Sequence, residues 1–311
     1  MDVLSDALAA MKTGRPHSSL TVKSAPWGIR FPASDGAGFH VVLRGSAWLL
    51  RPGVAPPVRL GPGDVVFLAH GYGHGLADHP DTPLLDAELE PDGSWPALPA
   101  PGPASDDQTQ LLCGAYQLSR FRAHPLLTDL PPLVHVPARV GTLPRLRAAV
   151  DLLGAELAEP LPGTGSVVPA LLDTLLVYLL RAWWLEDAPK ELAGQTRWAD
   201  ALRDPAVTAA LEAIHGSPAH PWTVEELGAR AGLSRAALAR RFTSLVGRPP
   251  LAYLTWWRMT GAGRLLRDTQ IPLHSVAELS GYTSEFAFAK AFKREYGVPP
   301  GQYRRAEGRT G

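Results

Sequence analysis

The chain has 311 residues, 45% of them hydrophobic and 19% charged, with 30 Lys/Arg against 30 Asp/Glu. That length suggests about two domains rather than one, and the composition is that of a soluble globular protein. No run of about 18 uncharged apolar residues marks a membrane span, and residues 1–12 lack the basic start and apolar core of a secretory signal. The one cysteine, Cys113, excludes an internal disulfide and suits a reducing cytoplasm. Zero net charge argues against a polyanion partner, but its distribution does not. Residues 196–311 hold 16 Lys/Arg against 10 Asp/Glu, a net of +6, which leaves −6 for the first 195. Such asymmetry points the second part toward a polyanion.

In chain order, the first third reads as β. Phe39-His40-Val41-Val42-Leu43 and Asp64-Val65-Val66-Phe67-Leu68 are short, apolar and β-branched. Turn signals such as Arg51-Pro52-Gly53 and Gly61-Pro62-Gly63 bound them. Regular punctuation of this kind indicates a barrel or sandwich. Residues 91–107 read as a loop, and 110–118 as a further strand. From Pro144 the period becomes helical, with Leu146, Val150, Leu153 and Leu157 on one face. A second apolar stretch, 167–185, has charges only at Asp173 and Arg181 within its leucine run. So apolar a helix is buried in its own domain or against a partner subunit. Residues 186–204 are polar and read as a linker.

The C-terminal third carries a repeat. Phe242, Gly247, Pro249, Pro250 and Tyr253 recur fifty residues later as Phe292, Gly297, Pro299, Pro300 and Tyr303. Each copy predicts helix, glycine turn, helix. In the first, Thr223 and Glu226 form a capping box, Gly232 makes the turn and Ser234 caps the second helix. In the second, Pro272 opens the first helix, Gly281 turns, and Ser284 caps the second helix with Glu285 at its positive end. Leu238 and Phe242 face inward in one copy, Phe288 and Phe292 in the other. The outward faces carry Arg235, Arg240 and Arg241, and Glu285, Lys290, Lys293 and Arg294. Two equivalent helices presenting cations fit a duplex better than a merely solvated surface. A connecting helix over 251–267, about 25 Å long, could set them in neighbouring major grooves, which lie about 34 Å apart. Trp256 and Trp257 on it read as core packing.

The stretch Ser280-Gly281-Tyr282-Thr283-Ser284-Glu285-Phe286, running on to Tyr303-Arg304, and its counterpart from Leu227 to Tyr253 with Trp257-Arg258-Met259, resemble the AraC/XylS family of transcription regulators. The resemblance covers roughly residues 205–305. It implies that the first recognition helix offers Ala236, Ala239 and Arg240 to the bases, and the second Glu285, Phe286, Ala289 and Lys290, beside Ser284. Alanine can only touch a thymine methyl or permit close approach, so readout concentrates on Arg240, with Arg235, Lys290 and Glu285 secondary. Arg241, Lys293, Arg294 and Arg304 suit phosphates, which position without specifying.

Residues 20–135 are similar to the cupin-type sensor of one branch of that family. Gly63-Asp64-Val65-Val66-Phe67-Leu68 running on to His70 and His74 matches the second cupin motif, with Ala69 where proline is usual. The segment Phe39-His40 running on to Arg44-Gly45 resembles the first motif but lacks the His-x-His pair and glutamate of metal-binding cupins. His40, His70, His74 and Cys113 could form a site for a transition metal such as zinc. Equally, the histidines could satisfy backbone groups around an inert buried thiol. An organic effector in the barrel mouth, lined by Trp27, Phe39, Trp48 and Phe67, is a third reading.

The expected fold is a multidomain α and β chain. Residues 1–140 form a cupin-like β-barrel, 141–190 a helical dimerisation or packing segment, 191–204 a linker, and 205–306 an all-α double helix-turn-helix domain. The expected protein is a cytoplasmic, homodimeric regulator, often an activator in this family. Its partners would be double-stranded DNA, RNA polymerase and a small-molecule or metal effector, with no membrane. A cupin-type metal-dependent oxygenase with a helical appendage is the competing reading, and it leaves the repeat unexplained.

Overall fold

The computed structural model describes residues 2–12, 14, 16–34, 36–51, 53, 55–87, 108–118, 124–138, 143–186 and 197–307. In chain order the elements begin with α1 (Val3–Met11), β1 (His17–Ser24), β2 (Gly28–Phe31), β3 (Ala37–Arg44), β4 (Ala47–Arg51), β5 (Ala55–Leu60), β6 (Val65–Leu68), β7 (His74–Ala77), β8 (Leu85–Asp86) and β9 (Gln108–Tyr116). Next come α2 (Pro125–Thr128), β10 (Val134–Val136), α3 (Pro144–Ala158), α4 (Thr164–Arg181) and α5 (Arg197–Arg203). The series closes with α6 (Pro205–Gly216), α7 (Val224–Arg230), α8 (Arg235–Val246), α9 (Pro250–Asp268), α10 (Leu273–Leu279), α11 (Glu285–Tyr296) and α12 (Pro300–Glu307). The expected loop over 91–107 lies outside the described residues.

The chain divides into two compact units. One comprises Lys12–Arg120 and Leu130–Ala193; the other comprises Met1–Met11, Phe121–Asp129 and Gly194–Gly311.

The first unit holds two five-stranded sheets, ordered β1-β9-β3-β6-β10 and β5-β4-β7-β2-β8. Trp27, Phe31, Val42, Leu49, Leu60, Val66, Leu76 and Leu111 fill the space between them. Strand β3 reads as almost unbroken apolar sequence because both its faces are covered. Val42 turns toward the facing sheet, while Phe39 packs beside Tyr116, whose hydroxyl donates to the Leu172 carbonyl of α4 at 2.8 Å. Helices α3 and α4 bury Leu146, Val150 and Leu153, and Leu172, Leu175, Leu176, Leu179 and Leu180. Five leucines of the run expected over 167–185 are therefore covered within this unit, while Val167 is exposed and Leu171 half-buried. Residues Thr164–Trp184 are long and apolar enough to span a bilayer by length and composition. Asp173 within that run is nonetheless paired with Lys12, and a charge of this kind is costly in hydrocarbon.

The second unit is helical and built from three stretches of chain. Residues 1–140 were expected in the barrel domain, but α1 and α2 group with the C-terminal helices. The expected linker over 191–204 is corrected in the same way: residues 197–203 form α5, with Trp198 fully buried. Polarity masks this helix, because one tryptophan anchors it. Asp204 then caps α6, accepting from the Ala206 and Val207 amides at 3.1 and 3.0 Å, with Pro205 in the first turn.

Candidate nucleic-acid interface and buried histidine cluster

The two repeats fold into matching units. Thr223 and Glu226 form the expected capping box on α7. The two hydrogen bonds from Thr223 hold the exposed Glu226 carboxyl below the usual range. Gly232 at φ 66° and Gly281 at φ 75° make the turns, a backbone region costly for any side chain. Ser234 and Ser284 cap α8 and α11, accepting from the Ala237 and Ala287 amides at 3.3 and 3.1 Å. Both helices have 12 residues and end on a left-handed glycine, Gly247 or Gly297. Leu238, Phe242, Phe288 and Phe292 are fully buried, so both helices are fixed by the faces the periodicity predicts.

The opposite faces are open. Arg235, Ala236, Arg240 and Arg241 are exposed on α8 and Ala239 is half-buried; on α11 Glu285, Phe286, Lys290, Lys293 and Arg294 are exposed and Ala289 is half-buried, with Ser284 exposed at the cap. Phe286 is 80% exposed, unusual for so large an apolar side chain. Among the described residues no ion pair engages Arg235, Arg240, Lys290 or Lys293. Three of the four expected phosphate contacts are otherwise engaged, the exposed Arg294 only through Nε with the neighbouring Glu295 at 3.7 Å. Arg241 pairs through Nε with Asp204, the cap of α6. Arg304 donates from Nη2 to the Ile271 carbonyl at 2.7 Å, which turns it inward.

Helix α9 joins the units with 19 residues, about 28 Å of helix. Both sides grip it. Arg258 donates to the Pro218 and His220 carbonyls at 2.6 and 2.8 Å, and the Tyr296 hydroxyl of α11 donates to the Met259 carbonyl at 3.2 Å. Gly263 leaves room for that tyrosine, since a Cβ there would meet its hydroxyl at 2.2 Å. Trp256 is buried and Trp257 stacks on His215 at 3.8 Å. Sequence reading missed the Arg241–Asp204 pair and the Arg258 contacts, which span 37 to 40 positions and leave no local pattern, and it passed over the Asp204-Pro205 capping signal at the start of α6.

Three of the four expected metal-ligand candidates meet in the β unit. His40 Nδ1 lies 2.9 Å from Cys113 Sγ, and His40 Nε2 lies 2.7 Å from His74 Nε2. His74 Nδ1 donates to the Tyr72 carbonyl at 3.0 Å. That last bond fixes the rest, because a neutral imidazole carries one N–H. His74 Nε2 must accept from His40 Nε2, so His40 Nδ1 accepts from the Cys113 thiol. Burial keeps every member neutral. It holds His40 well below its ordinary value, lowers His74 to about 4 and raises Cys113 to about 12. Cys113 and His74 occupy opposite nitrogens of His40, so the three donors cannot converge on one ion. His70 stands apart, with Nε2 on the Leu130 carbonyl at 3.0 Å. Among the described residues no group of three or more His, Cys, Asp or Glu side chains could hold a metal. The four-residue metal site is thus corrected: the spacing brings the residues near one another but aims their nitrogens apart.

The expected effector lining is also corrected. Trp27 lines a cavity of about 430 Å³. Phe39 and Phe67 pack on Tyr116 instead, at ring distances of 5.6 and 6.4 Å, and Trp48 is half-buried outside that lining. Strand alternation turns them to other faces.

Residues 2–184 match a family model described as Cupin, and residues 227–306 one described as Helix-turn-helix domain. The chain is 36% identical over 305 residues to a Streptomyces lividans protein named as an AraC-like transcription regulator, covering 98% of each. It is 34% identical over 286 residues to the HTH-type transcriptional regulator MtrA of Neisseria gonorrhoeae, covering 91% of each. Among solved structures, the DNA-binding domain of AdpA in complex with a target DNA is 36% identical and aligns over 33% of this chain and 92% of that one, at a TM-score of 0.32.

Proposed function

The chain belongs to the AraC-like transcription regulators, and from that premise we propose how it meets DNA and what governs the encounter. It is a DNA-binding regulator whose helices α8 and α11 enter successive major grooves of one duplex. The observation behind this reading is the pair of capped, twelve-residue helices with cationic, outward faces, joined by a connector gripped on both sides. Arg240 reads a base edge, most naturally guanine, because its fork can reach two acceptors there. Arg235, Glu285 and Lys290 assist. Ala236, Ala239 and Ala289 let the backbone approach, and Phe286 offers apolar contact to a thymine methyl. Lys293 and Arg294, with Ser284 at the helix cap, contact phosphates. Arg241 does so only by sharing its guanidinium with Asp204.

The β unit senses a small molecule and sets the activity of the DNA-binding unit. The protein acts in the cytoplasm as a homodimer, with RNA polymerase as a partner at the promoter. It is a regulator and not an oxygenase, a reading supported by the names of its relatives and by a histidine cluster whose donors diverge.

Replacing Arg240 tests the reading. Arg240→Ala should weaken binding to a specific site by about 1–3 kcal/mol and relax preference at one base position. Equal loss on specific and random DNA, in a titration at fixed salt, would make Arg240 a phosphate contact.

A further inference from the structure

Strand β1 is the edge of one sheet and β8 the edge of the other, and between these edges lies the cavity of about 430 Å³. Its two walls differ in chemistry. Ser19, Thr21 and Lys23 recur at every second position of β1, beside Leu111 and Cys113 of β9. Facing them are Trp27, Ile29 and Phe31. The size is that of a small-molecule site, and the mix of an apolar body with few polar groups is what such sites use.

Lys23 decides what fits. It is the one cation in the lining, and among the described residues no ion pair or side-chain hydrogen bond engages it. Asp86 also lines the cavity, but Arg30 takes its carboxylate at 3.0 Å, across the β2–β8 pairing. The remaining charge is therefore a single positive one, at one end of an aromatic slot. The Cys113 thiol in the wall is neutral and already donates to His40, so it adds no charge.

We propose that this cavity binds a monoanionic apolar molecule of the aromatic-carboxylate class. Its ring lies between Trp27 and the β1 wall, its carboxylate on the Lys23 ammonium, and the Ser19 and Thr21 hydroxyls line its path. A charge-assisted bond in a partly desolvated slot contributes more than a neutral one. This inference rests on the sensor reading above only in naming the ligand an effector; the binding site stands without it.

Titration calorimetry on the full chain, with 2-naphthoate and the uncharged 2-naphthalenemethanol as probes, tests it. The acid should bind about tenfold or more tighter than the alcohol. Lys23→Met should abolish that preference with the thermal midpoint unchanged, Lys23→Arg should keep it, and Trp27→Leu should weaken both probes alike. Equal affinity for acid and alcohol, no binding of either, or a Lys23→Met chain that still prefers the acid would overturn the site. A parallel measurement of promoter DNA affinity with and without naphthoate separates the two claims. Lys23-dependent binding that leaves DNA affinity unmoved upholds the cavity and removes its link to DNA binding.

Discussion

Tyr253 and Tyr303 stand fifty residues apart at matching places in the two helix-turn-helix units, yet their surroundings differ. Tyr253 is fully buried, its hydroxyl 2.8 Å from His215 Nε2 and 3.2 Å from His124 Nε2. Tyr303 is half-buried against Phe292 and Tyr296, at ring distances of 5.5 and 4.9 Å. The first unit is wrapped by α1, α2, α5 and α6, and its tyrosine has become the centre of a polar network. Around it Trp198 lies 4.6 Å from His124, and Trp257 stacks on His215. The second unit is closed by its own Phe288, Phe292, Tyr296 and Tyr303. Duplication conserves the frame, and the added helices give one copy a new environment. Burial shows it chemically, lowering His215 to about 3 and His124 well below its ordinary value.

Substitutions at paired positions sharpen or break this comparison. The largest effects belong to the shared frame. Phe242→Ala and Phe292→Ala should each cost about 3–5 kcal/mol, read as the shift in denaturant midpoint. A loss confined to one of them would deny that the copies depend on their cores equally. Next comes the difference itself. Tyr253→Phe strips the hydroxyl from two buried histidine nitrogens and should cost about 1–3 kcal/mol, while Tyr303→Phe, at a half-buried ring whose hydroxyl site water can reach, should cost less. Comparable losses in chemical denaturation would make the network ornamental. The smallest effect lies at the turns. Gly232→Ala and Gly281→Ala both strain a left-handed residue by about 1 kcal/mol. At Gly281 the new Cβ would also meet the Ala219 carbonyl at 2.7 Å, whereas Gly232 is open. Gly281→Ala should therefore melt lower, and equal melting temperatures would deny the close approach.

Much of the second unit was legible in the sequence because its signals are local. Capping residues sit within three positions of their partners, turn glycines need only their own φ, and the buried face of α8 or α11 follows from helical period. The β unit was legible as strands, since apolar runs and turn residues are local too. What those strands bring together was not. His40, His74 and Cys113 are 34 to 73 positions apart, and which ring nitrogen faces which partner depends on sheet register. Lys23 and Trp27 are close in the chain, but the cavity they line is completed by Leu85, Leu111 and Cys113, which only the sheet topology brings there. Residues 197–203 misled for another reason: a short helix anchored by a single tryptophan has no period to detect.

One feature of the connectivity bears on how the protein is cut and expressed. Helices α1 and α2 belong to the DNA-binding unit although the chain writes them long before it. A fragment started at residue 196 would carry every element of the repeat and still lack Val3, Leu4, Ala7, Leu8 and Met11, all buried. It would also lack His124, a partner of Tyr253. Such a truncated piece inherits an apolar scar on α6 and α9, and its solubility would say more about that wound than about the native regulator.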